Sequence, residues 1–75
     1  MTEQQQVQVA KLYPIIDKAC RIGVDKLSLS FFYNLHNFCN LFSDNSEELY
    51  NLIYGYLEKT EQPSKETFLT LFKGA

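Results

Sequence analysis

His36 and Cys39 are the residues most suited to chemistry. Three positions apart on a helix, they have the spacing of two metal ligands, but a site needs at least one more ligand, such as Cys20. There is no Cys-x-x-Cys pair and no second histidine. A Cys–His nucleophilic pair would need the thiol in an electropositive, partly exposed setting. Cys39 instead falls among apolar residues with few cations nearby. Glu47 and Glu48 are neighbours in sequence, so on a helix they diverge and read as complements to the N-terminal dipole. No glycine-rich phosphate loop and no serine elbow occur. The expectation is a protein that is not an enzyme, with no catalytic residues, no metal, no cofactor and no small-molecule substrate.

The two cysteines, Cys20 and Cys39, both fall on apolar helix faces. The first reading is two buried, reduced thiols in a cytoplasmic protein; a disulfide joining two helices is the alternative. The start, MTEQQQ, has neither a basic n-region nor an apolar h-region. No apolar run has the length to cross a bilayer, so no membrane partner is expected. With 75 residues, 45% hydrophobic and 21% charged, the chain makes one globular domain, its 1–5 end frayed. Six Phe and five Tyr supply much of the burial that so short a chain needs. The net charge of −2 argues against a broad nucleic-acid or anionic-membrane surface. It is unevenly placed. Residues 1–40 set Lys11, Lys18, Arg21 and Lys26 against Glu3, Asp17 and Asp25; residues 41–75 set three lysines against six acids.

The elements that must position these residues are helical. Leu27, Phe31, Leu35, Phe38 and Phe42 recur at steps of four, four, three and four, one side of a 3.6-residue helix. Phe32, Cys39 and Leu41 widen that side, which predicts a central helix over about 26–42 capped by Asp25. The short alternation of LSLSF gives a strand at 27–33 as the alternative. Upstream, Val9, Leu12, Tyr13, Ile16 and Cys20 predict a helix over about 6–22, bent at Pro14 and ended by Gly23 as a left-handed residue. Downstream, Leu49, Leu52, Ile53, Tyr56 and Leu57 fill the amphipathic template of a helix over about 46–59. Residues 43–46 precede it as loop and cap, with Asn45 and Glu48 spaced as a capping box and Gly55 on its polar side. Ser64 caps a short last helix over about 65–73 carrying Phe68, Leu71 and Phe72. The fold class is all-α, a small bundle of three main helices plus a short C-terminal one.

Two surfaces stand out on these helices. In the first, Ala19 is followed four residues later by Gly23, then by Val24, with Leu29 and Phe32 as apolar positions beyond. Residues 19–35 in this respect resemble the helix-turn-helix of small repressors. The resemblance implies that Lys26, Leu27, Ser28, Ser30 and Phe31 face the major groove, with Lys18 and Arg21 close by. Leu27 and Phe31 are also claimed by the core stripe, so an ordinary tight helix–helix turn is the other reading. The second surface is aromatic. Tyr50 and Tyr54 lie at i, i+4 on the flank of the third helix, and Tyr33 lies off the main stripe of the central one. Tyrosine suits an interface, where its ring is covered and its hydroxyl stays wet; rimming the core is the alternative. The leading expectation is a small regulator, inhibitor or adaptor that binds another protein or itself as a homodimer. The acidic second half suits a basic partner, such as a nucleic-acid-handling enzyme. DNA binding through residues 19–35 is the runner-up.

Overall fold

Thr2 sets the first helix. In the computed structural model, which describes residues 2–42 and 44–72, its hydroxyl accepts from the Gln5 N–H at 3.1 Å. The Gln5 side chain in turn accepts from the Thr2 N–H at 2.9 Å. This capping box starts α1 at Glu3, three residues before the expected position, and carries it to Ile22 through Pro14. Gln5 also donates to the Phe42 carbonyl at 3.3 Å. The glutamine-rich start is thereby tied to the far end of the next long helix.

Gly23 ends α1 with φ +104° and ψ 136°. The positive φ is as expected, but the conformation is more open than the left-handed helical one. A 3₁₀ turn over Val24–Lys26 follows, and α2 runs Leu29–Phe42, three residues later than expected. The cap is Ser28, not Asp25: its hydroxyl accepts from the Phe31 N–H at 3.3 Å. Asp25 folds back instead, with a carboxylate oxygen 3.2 Å from where a β-carbon on Gly23 would stand. Leu27 is extended, but LSLSF turns helical from Leu29, so the strand alternative is not realised.

Helix α3 runs Ser46–Lys59, with the expected bounds. Its cap differs from expectation, because the Asn45 amide donates to the Glu48 carboxylate and does not accept from the first turn. Ser43, the first residue of the expected loop, lies outside the described residues. Ser64 caps α4, accepting from the Thr67 N–H at 3.2 Å, and α4 spans Lys65–Thr70. A tighter turn through Leu71 and Phe72 closes it by i to i+3 bonds; the expected end at 73 lies outside the described residues.

The result is an all-α bundle of three main helices and a short fourth among the described residues. Helix α3, not α2, is the inner one: it packs against both α1 and α2, while α1 also carries α4. Leu49, Ile53 and Leu57 of α3 are buried, facing Val9, Ile16, Ala19 and Cys20 of α1, Leu35 and Cys39 of α2, and Phe68 and Phe72. The predicted stripe of α2 does turn inward, but Leu27, Phe31, Phe38 and Phe42 are only partly covered. Among the described residues no helix is long and apolar enough to cross a membrane.

Candidate functional site

The reactive residues of α2 do not meet. Cys39 is fully buried, and burial pushes its thiol up to about 11, so it stays protonated. Burial and then the charge of Asp17 push Cys20 up as well, against the opposing pull of Arg21. Both thiols are free. His36 is exposed and lies flat on Tyr50, ring centroids 3.8 Å apart at 11°. Among the described residues no group of three or more His, Cys, Asp or Glu is placed to hold a metal.

His36 is one end of an aromatic ladder along the seam of α2 and α3. Tyr50 stacks on Tyr54 at 6.2 Å, Tyr54 meets Phe32 at 5.9 Å, and Phe32 meets Phe31 edge-on at 5.3 Å. Tyr50 and Tyr54 are thus half-buried and stacked within the molecule, and Tyr50 packs against the core. Burial, then the nearness of Tyr54 and Cys39, raises the Tyr50 hydroxyl. Of the three tyrosines singled out in the sequence, Tyr33 alone points outward, 68% exposed.

Tyr33 has apolar company. Leu29 is 87% exposed and Leu41 82% exposed. Leu41 therefore lies away from the core side to which its spacing assigned it. Leu29, Tyr33, Asn37 and Leu41 follow at steps of four along the outside of α2, with Ser30, Asn34 and Asn40 also exposed. No Asp, Glu, Lys or Arg occurs from Leu27 to Ser43. An outward helix face usually carries charge, so an uncharged one with three large exposed apolar side chains is unusual. On another flank of α2, toward α1, runs an apolar groove of about 250 Å³, walled by Ile15, Lys18 and Ile22 of α1 and by Leu27 and Phe31. Ile15 and Ile22 are exposed there.

The residues expected at a DNA surface lie on the same end of the molecule. Lys18, Arg21, Lys26, Ser28 and Ser30 are all exposed. Arg21 is held by Asp17 at 2.7 Å, one turn back on α1. Ser28 is engaged in capping α2, its hydroxyl 3.1 Å from that of Ser30. Lys26 closes the 3₁₀ turn, and no cation follows on α2.

Sequence periodicity missed Leu29, Leu41, Ile15 and Ile22. For Leu29 and Leu41 the signal was present in the uncharged run from Leu27 to Ser43, because a helix that turns half its surface to water without one charge has an outer face of interface composition; for Ile15 and Ile22 of α1 there was none. The chain matches no family model, no curated protein and no solved structure.

Proposed function

We propose that this protein acts by non-covalent association, as a small regulator, inhibitor or adaptor, and that the outer face of α2 is where a protein docks. One observation carries the reading: Leu29, Tyr33 and Leu41 stand exposed on a helix face that has no charged side chain. Interface centres are depleted in charge and enriched in tyrosine, and large apolar side chains in water are a free-energy reserve released on docking. The buried, protonated thiols and the stacked His36 support an associating role over a catalytic one.

A photo-crosslinker tests this. With p-benzoylphenylalanine in place of Tyr33, irradiation in cells is expected to give a covalent protein adduct. The same group in place of Gln62, in the exposed α3–α4 linker, is expected to give none. Adducts equal at both positions, or at neither, contradict the reading.

DNA binding through residues 19–35 is the second reading, favoured by the positive φ of Gly23 and the exposure of Lys18 and Lys26. It ranks lower because α2 supplies no Arg or Lys for base or phosphate contacts. Fluorescence anisotropy of labelled duplex DNA at low salt is expected to show no binding. Binding that weakens steeply with salt would reverse the ranking.

A further inference from the structure

We propose that the occupant of this face is a second copy of the same chain, α2 against α2 about a two-fold axis; the inference rests on the outer face of α2 being the docking surface. A two-fold contact sets one patch against itself, so the patch must be self-complementary. A face bearing Lys or Glu would place like charges opposite one another near the axis. The run from Leu27 to Ser43 bears none, in a molecule whose net charge is −2. The polar groups on this face suit themselves in the same way. Asn34, Asn37 and Asn40 are exposed, and a carboxamide both donates and accepts, so it can pair with its own copy. The apolar side chains that project from this face, Leu29, Tyr33 and Leu41, lie on one side of α2 and can meet their own copies across the axis.

Size sets the strength expected. Fourteen residues make a face about 21 Å long at about 1.5 Å per residue, along a molecule 32 Å in its longest extent. A single helix face belongs at the low end of specific interfaces, where total burial is about 1,200 Å² or less. The dimer is therefore expected to dissociate on dilution.

Sedimentation equilibrium of the purified protein, from about 1 μM to about 1 mM, is expected to show the mass rising from 8.7 kDa toward twice that value. Because Cys20 and Cys39 are buried, a cysteine introduced by Asn37→Cys is the reactive thiol of the native protein. A short bis-maleimide should join two Asn37→Cys copies covalently, and should not join two Gln62→Cys copies. Leu29→Ser with Tyr33→Ser should remain monomeric with unchanged helicity, since both residues are exposed. A wild-type protein that stays at 8.7 kDa throughout, or a dimer joined through Gln62→Cys and not Asn37→Cys, overturns the proposal. If the protein is monomeric but the Tyr33 photo-adduct is with a different protein, the second copy is excluded and the docking face stands. A dimer that survives the double substitution removes the second copy from this face, and a photo-adduct absent from Tyr33 removes the face itself.

Discussion

At the scale of single residues, two groups have consequences for stability. Cys39 keeps its proton in the folded chain up to about 11, against an ordinary thiol value of 9.0. The unfolded chain gives up that proton earlier. The folded state is therefore favoured fully below pH 9.0 and loses ground as pH rises from there to about 11. The urea midpoint should fall across this window, and it should fall less in Cys39→Ala; equal falls would assign the effect elsewhere. Tyr56 is the second group. Its hydroxyl lies 2.9 Å from that of Thr67, donates to the Ser64 carbonyl and accepts from the Ser64 N–H, both at 3.3 Å. One phenol thus fastens the start of α4 to the end of α3, while its ring packs on Phe68 at 5.7 Å. Tyr56→Phe should cost about 1 kcal/mol, seen as a lower urea midpoint with faster amide exchange in α4. An unchanged midpoint would mean that ring packing alone holds α4. Periodicity placed the ring of Tyr56 on the core side correctly. The hydroxyl's partners lie across a linker, where no spacing rule reaches.

At the scale of elements, legibility followed how one-sided each apolar pattern was. Leu49, Ile53 and Leu57 are flanked by Glu47, Glu48, Glu58 and Lys59, so only one orientation of α3 hides these three, and its bounds came out as Ser46–Lys59, although Leu52, placed in the same template, is exposed. Helix α2 has apolar residues nearly all round and no charge to mark its outside. Its inner stripe was legible, but Leu41 was assigned inward when it is exposed. The starts of α1 and α2 shifted because caps compete locally. Thr2 with Gln5 outdid the expected fraying, and Ser28 outdid Asp25, which is turned back over Gly23. Gly55 of α3 gives a direct test at this scale. A β-carbon there meets nothing within 4 Å, so Gly55→Ala should raise stability by up to about 1 kcal/mol through helix propensity alone. A loss of stability would show that the α3 backbone at Gly55 is more constrained than its surroundings indicate.

At the scale of the whole molecule, α3 takes the inner position, α1 and α2 pack against it, and α2 has one face left over. Its covered side joins α3 through the ladder from Phe31 to His36. Its open side combines Leu29, Tyr33 and Leu41 with three asparagines and no charge. The acids that give the chain its net charge lie mostly on α3, the linkers and α4, and leave this face neutral. The molecule is thus acidic on one part of its surface and apolar without charge on another. The most direct measurement is a dilution series of ¹⁵N–¹H amide spectra. Peaks that move with concentration are expected to belong to the exposed residues of α2 between 29 and 41. Peaks that hold still at every concentration, or that move chiefly on the acidic side around Glu47, Glu58 and Glu66, would contradict it.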